Sequence, residues 1–313
     1  MRYYIMNKNS LRGESMLFLT AFIWGIAFVA QRVGGNMIGS FTFNAVRMLI
    51  GGFTLLPCIY LLRNTTDIKS EQTVIKKQRV NKDKKLFVGG ILCGTILFIA
   101  SNLQQIGLSY TTASKAGFIT ALYIIIVPII GIFFKKYPSI NLWISIFIAL
   151  CGMYLLCITD GFKISSGDIL VILSALAFSF HILAIDYFSS CVDGVKMSCI
   201  QFFVCGFLSM IAMFLFETPA ISSILHAWIP LLYTGVLSCG VAYTFQILGQ
   251  KSVIPSIASL IMSLEAVFCA IGGWILLDES LSIKELIGCL LVFGAIILAQ
   301  FPSSARVKVD TIA

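Results

Sequence analysis

The sequence predicts an all-α membrane protein: ten transmembrane helices forming two inverted five-helix repeats around a central cavity. Three observations lead there. The 313-residue chain is 58% apolar and 12% charged, with a mean hydropathy of +0.97, whereas a soluble domain carries roughly 25% charged residues. Apolar stretches of about 17–24 residues, enough to cross a hydrocarbon core of ~30 Å, recur along the chain. Their pattern also repeats once. The expected spans are 15–33, 42–62, 86–107, 112–134, 140–158, 168–188, 198–216, 229–248, 255–276 and 283–301.

The first span follows Arg2, Lys8 and Arg12, as a secretory leader would. However, Ala27 and Ala30 are separated by Phe28 and Val29, which is the wrong spacing for an Ala-x-Ala cleavage site. It is read as a retained helix. The formal charge of +8 raises the question of nucleic acid, but segment 63–85 supplies +5 of it and lies between apolar spans. A basic cytoplasmic loop accounts for that segment, so no nucleic-acid partner is expected. The ten cysteines form no close Cys-x-x-Cys pair and sit mostly inside apolar runs, where Cys behaves as a small hydrophobe. Neither a disulfide framework nor a metal site is expected, and no cofactor.

Orientation follows from Lys and Arg placement. With the N-terminus inside, seventeen basic residues fall in cytoplasmic segments. Four, Arg32, Lys115, Lys163 and Lys284, fall at outer loops and helix ends, and Arg47 lies within a span. Both termini are therefore expected in the cytoplasm, with the chain multi-pass in the cell membrane.

Adding 154 to the first two spans overlays Gly13-Glu14 on Gly167-Asp168, Arg47 on Gln201 and Gly52-Phe53 on Gly206-Phe207. Adding 142 to the next three overlays Gln104 on Gln246, Gly107 on Gly249, Ala116 on Ala258, Leu122 on Leu264 and Gly152 on Gly294. The offset falls by 12 where the basic loop lies, so the loop is an insertion in the first half. The repeats are expected at 13–160 and 161–301, with 302–313 a cytoplasmic tail. Five helices is an odd number, so the halves must point opposite ways. Inverted repeats of this kind are a transporter architecture in which solute is handled near the midplane.

The motifs resemble those of the EamA family of the drug/metabolite transporter superfamily. They are Ala21-Phe22-Ile23-Trp24-Gly25, Asn44-Ala45-Val46-Arg47, the stretch from Thr112 through Tyr123 to Pro128, Ser263-Leu264-Glu265-Ala266-Val267 and Leu277-Asp278-Glu279. The resemblance runs from about residue 13 to 301. It implies a ten-helix fold with a central cavity and the movement of small metabolites, often amino acids. Family members usually have Pro after the Glu of helix 9; Ala266 stands there, so the resemblance leaves a kink open.

Candidate site residues follow from cost. Glu265 lies ten residues into the ninth span, ~15 Å along the axis, and an ionisable group at mid-membrane faces a cavity or a partner and often carries protons. Its bland alternative is a hydrogen-bonded packing residue. Tyr123, its repeat mate, lines the same cavity or packs. Trp24 is mid-span and either stacks on solute or fills the core. Arg47 pairs with a solute carboxylate or an acidic side chain, or else snorkels to the interface. Gln104 and Gln246 are symmetry mates suited to two gates or to interhelical hydrogen bonds. His181, the intramembrane histidine, relays protons or is a satisfied core residue.

The chain has no Gly-Lys pair and hence no phosphate-binding loop of the Gly-x-x-x-x-Gly-Lys type. That points to secondary transport of an amino-acid-like or drug-like metabolite, with protons the simplest coupling ion. The competing class, a membrane enzyme acting on lipid or peptide, needs clustered His, Asp or Glu or a nucleophile with its base. His181 and His226 stand far apart in sequence, and no serine has an evident base.

Overall fold

The structure, a computed structural model, describes residues 8–66, 76–135, 137–157, 165–276 and 282–300. Among them it contains helices and no strand. Ten helices lie where the apolar runs predicted them: α1 Lys8–Gly35, α2 Ser40–Thr66, α3 Lys76–Leu108, α4 Ala113–Phe133, α5 Ile140–Cys157, α6 Ser166–Ser189, α7 Gly194–Phe216, α8 Trp228–Gln250, α9 Pro255–Leu276 and α10 Ile283–Gln300. Nine are long and apolar enough to cross a membrane, and α5 is the shorter apolar helix. The chain is a multi-pass membrane protein.

Polarity is arranged for a hydrocarbon solvent. Phe53, Phe87, Phe147, Phe207 and Phe214 are exposed on the outside. Asn44, Arg47, Asn102, Gln104, His181, Gln201, Gln246 and Glu265 are buried inside. Lipid cannot hydrogen-bond a polar group, so such groups turn inward and find one another.

The two halves make matching contacts. Thr20 Oγ1 donates to Ala242 O at 3.0 Å, and the repeat-related Ser174 Oγ donates to Ala100 O at 2.9 Å. A Cβ on Gly249 would sit 2.8 Å from Gly13 O, and one on Gly107 would sit 2.8 Å from the mate, Gly167 O. These backbone approaches hold α1 against α8 and α3 against α6. Two further large interfaces, α2 with α7 and α5 with α10, join a helix to its own repeat mate. Gly90 and Gly94 on α3 press against Ile200 and Val204 of α7, as a small-residue face should.

One departure from the register has a clear cause. Gly94 packs against Gln201 O and Val204, while its structural counterpart Gly235 packs against Arg47 O and Ile50. The offset here is 141, not 142. Tyr233–Tyr243 of α8 is π-helical, and a π segment is how a helix absorbs one inserted residue.

Both α4 and α9 are interrupted at equivalent places, Ala121–Leu122 and Ser263. The α9 break forms without the family's proline. Ser263 Oγ bonds Leu260 O at 2.7 Å and Ser259 Oγ bonds Ser256 O at 3.0 Å, and Ala266 N reaches back three residues to Ser263 O. Serine hydroxyls that bond backbone carbonyls bend helices in this way.

The basic segment 63–85 corrects an expectation. Residues 63–66 and 76–85 are helical and extend α2 and α3, whereas a loop was expected. Lys, Arg and Gln are good helix formers in water, so helices run on past the apolar span. Residues 67–75 and the tail 302–313 lie outside the described residues.

Gly107→Val should lower the stability of the purified protein by about 1–3 kcal/mol by overpacking the α3–α6 approach. Gly294→Ala, where an added Cβ meets nothing within 4 Å, should leave the melting temperature unchanged. Thermal unfolding in detergent checks both.

Candidate functional site

A cavity of about 30 Å³ lies between the repeats. Trp24, Phe28 and Gln31 of α1, Arg47 of α2, Gln104 of α3, and Thr120 and Tyr123 of α4 line it from the first half. Phe178 and Ile182 of α6, Ser238, Tyr243 and Gln246 of α8, and Glu265 of α9 line it from the second. Four repeat-related pairs face one another here: Trp24 with Phe178, Phe28 with Ile182, Gln104 with Gln246 and Tyr123 with Glu265. The volume suits a water or two, so the cavity is closed down around its own side chains.

Tyr123 Oη donates to Glu265 Oε1 at 2.9 Å, and both residues are buried. The break at Ala121–Leu122 and the break at Ser263 each lie one or two residues before these side chains. Trp24 packs on Tyr243 with ring centroids 4.7 Å apart, its Nε1 3.4 Å from Ser238 O.

Arg47 does not snorkel. It is 3% exposed, its Nε donates to Asn44 Oδ1 at 2.7 Å and its guanidinium lies 5.7 Å over the Phe43 ring. Asn44 in turn donates to Ser101 O at 3.0 Å and Asn102 Oδ1 at 2.9 Å, and Asn102 donates to Ser209 Oγ at 2.9 Å. Among the described residues no carboxylate lies within ion-pair distance of Arg47. Sequence position alone put Arg47 well outward of Glu265, yet both reach one cavity.

Gln104 and Gln246 reach the same cavity from α3 and α8. Gln104 Nε2 donates to Thr120 Oγ1 at 3.0 Å, while Gln246 Oε1 has no partner in the protein. His181 lies outside the lining. It meets Gln201 at 3.2 Å and sits with its ring 6.0 Å from that of Tyr243.

Sequence reasoning missed the Asn44–Asn102–Ser209 network, although three polar residues inside apolar spans are its signal. It also treated Lys115 and Asp168 separately. They form an ion pair of 2.6 Å at the end of the bundle opposite the N-terminus. Asp168 also accepts from Thr111 Oγ1 at 2.7 Å and caps its own helix in a capping box with Ser165. Arg32 reaches Thr111 O in the same corner. At the same face Glu217 accepts from Phe41 N at 2.9 Å, Thr42 N at 2.8 Å and Thr42 Oγ1 at 2.6 Å, placing its negative charge on the positive end of α2.

A bundle of inverted repeats enclosing a polar, aromatic-lined cavity belongs to the transporter class of folds. The chain is a member of the EamA-like transporter family: that family's model matches residues 11–158 and again 165–301. It is 29% identical over 309 residues to an uncharacterised transporter of Archaeoglobus fulgidus, covering 95% of this chain and 90% of that one. It is 23% identical over 292 residues to the uncharacterised transporter YoaV of Bacillus subtilis, covering 91% and 95%. Human solute carrier family 35 member F6 is 25% identical over 167 residues, covering 49% of this chain and 44% of that protein. A solved crystal structure superposes with a TM-score of 0.72 at 17% identity, covering 92% of this chain and 96% of that one, and so shares the fold.

Asp168→Ala should destabilise more than Lys115→Ala, by about 1–3 kcal/mol, because it strips partners from Thr111, Ser165 and Lys115 together. Denaturation of the two single variants and the double variant separates the pair's coupling from the capping loss.

Proposed function

We propose that the chain is a secondary active transporter that moves a small amino-acid-like or drug-like metabolite across the cytoplasmic membrane by alternating access, with protons as coupling ions. The repeats 13–160 and 161–301 are its two moving halves, 302–313 is a cytoplasmic tail, and both termini face the cytoplasm. The observation that carries this reading is that a buried cation, Arg47, and a buried acid, Glu265, line one cavity without pairing with each other. A desolvated charge is costly unless neutralised or paired. A solute carboxylate supplies what Arg47 lacks, and a proton or a solute ammonium supplies what Glu265 lacks. Trp24, Phe178 and Tyr243 offer aromatic faces to the rest of the solute, with Gln104 and Gln246 its polar contacts.

Coupling then has a concrete form. Glu265, held by Tyr123 on one oxygen, takes a proton or a cationic group when the cavity opens to one side and gives it up on the other. The breaks in α4 and α9 next to Tyr123 and Glu265 are where these helices bend as access alternates.

Flux into proteoliposomes tests the reading. Glu265→Gln should fold and insert, lose gradient-driven accumulation and keep downhill exchange; a wild-type rate with unchanged pH dependence would make the carboxylate structural. Arg47→Gln should raise the KM for carboxylate-bearing solutes about tenfold or more, the effect of losing a hydrogen bond to a charged group. Solutes without a carboxylate should be unaffected. Chemical change of the solute during incubation would favour an enzyme instead. Labelling of a cysteine placed at residue 75 should occur from the cytoplasmic side.

A further inference from the structure

The cavity is not the sole buried polar site. His181 of α6, Gln201 and Ser198 of α7 are all fully buried, and three of their polar atoms, His181 Nδ1, Gln201 Nε2 and Ser198 Oγ, have no partner within the protein. The contact that does form, His181 Nε2 to Gln201 Oε1 at 3.2 Å, makes Nε2 the donor and leaves Nδ1 an acceptor without a donor. Turning the Gln201 amide over moves the shortfall to the other atoms without removing it. A bilayer interior offers nothing to an orphaned donor or acceptor, whereas water, which both donates and accepts, satisfies such atoms.

The place is informative. His181 lies eight residues from the end of α6, ~12 Å from the N-terminal face; Gln201 and Ser198 lie ~10 and ~6 Å from the same face on α7. The ring of Tyr243, a cavity residue, stands between His181 and the cavity, edge-on at 6.0 Å. In the repeat register Ser198 and Gln201 are the counterparts of Asn44 and Arg47, so the fold carries a cation at the equivalent position of the other half. Gln201 faces the imidazole from α7 and Tyr243 from α8. The Cys93 thiol of α3 packs in one cluster with Ile185, one turn further along α6. No charged side chain among the described residues is within ion-pair distance of His181.

We propose that His181, Gln201 and Ser198 form a second, water-holding site between α6, α7 and α8. The site holds whether or not the proposed transport is correct, because its test reads the imidazole itself.

The chain has two histidines, His181 and the exposed His226, so ring-labelled ¹⁵N-histidine NMR of the full-length protein in detergent or nanodiscs resolves both, with His226→Asn assigning them. The expected spectrum of the otherwise unaltered protein shows His181 as the Nε2–H tautomer, with a cross-peak to water at its ring. Gln201→Leu and Ser198→Ala should each weaken the water cross-peak severalfold. An imidazole without water contact, read on the unaltered protein, overturns the proposal. Water contact that persists unchanged in folded Gln201→Leu and Ser198→Ala overturns the three-residue site. Loss of solute flux with these NMR signatures intact would reject the transport reading and leave this one standing.

Discussion

One hydrogen bond fixes where the two halves meet. Tyr123 and Glu265 are related by the repeat, and their oxygens are 2.9 Å apart. Two groups related by a two-fold can touch only beside the axis, as in any self-complementary interface. The axis therefore passes through the phenol–carboxylate contact, and every other inter-repeat contact is organised around it. The α1–α8 and α3–α6 glycine approaches lie on either side as a matched pair. Helices α2 with α7 and α5 with α10 cross it on their own mates.

The backbone obeys this symmetry more closely than the side chains do. Trp24 faces Phe178, Phe28 faces Ile182, and Arg47 corresponds to Gln201. Gln31 and Gln105, joined by Gln105 Nε2 to Gln31 O at 3.0 Å, correspond to Ile185 and Ile247, which share a dry cluster. The end of the bundle opposite the N-terminus is thus polar and closed by charge, through Lys115–Asp168 and the Glu217 clamp on α2. The N-terminal end is closed by apolar packing. Water weakens the first kind of closure by screening and competition, whereas apolar packing strengthens when water arrives. The two ends of one symmetric scaffold therefore differ in how readily they open.

Much of the fold was legible because a bilayer makes hydropathy decisive. All ten helices, nine of them long and apolar enough to cross a membrane, follow from apolar run length, and the repeat register from a few Gln and Gly positions that the backbone approach then explains. What stayed hidden depends on lateral rather than axial position. Counting residues from a helix end placed Arg47 outward of Glu265 but gave no sight of side-chain length or tilt, which bring both to one cavity. The π segment of α8 is a one-residue insertion, invisible to an offset counted from Gln104 and Gln246 alone. The continuation of α2 and α3 past residue 62 and before residue 86 was hidden because charge ends a membrane span without ending a helix. The α9 break was left open because proline was the cue sought, while serine hydroxyls at 259 and 263 supply it.

The small size of the cavity bears on how such a protein would work. At about 30 Å³ it admits water, not a metabolite, so loading needs helices to move apart. Two short segments, Ala113–Thr120 and Pro255–Met262, are each ended by a break beside the axis. Both segments start at a loop, on opposite faces, and both end next to the Tyr123–Glu265 contact. Tilting Ala113–Thr120 outward pulls Lys115 from Asp168 and frees Thr120 from Gln104. Tilting Pro255–Met262 opens the other face past Ile257, the counterpart of Lys115, where the described residues form no ion pair. The same hydrogen bond sits at the inner end of both movements, so neither segment can swing fully without disturbing the carboxylate. On the proposed reading, that mechanical link, more than the mere presence of an acid at mid-membrane, would tie its protonation to which side is open.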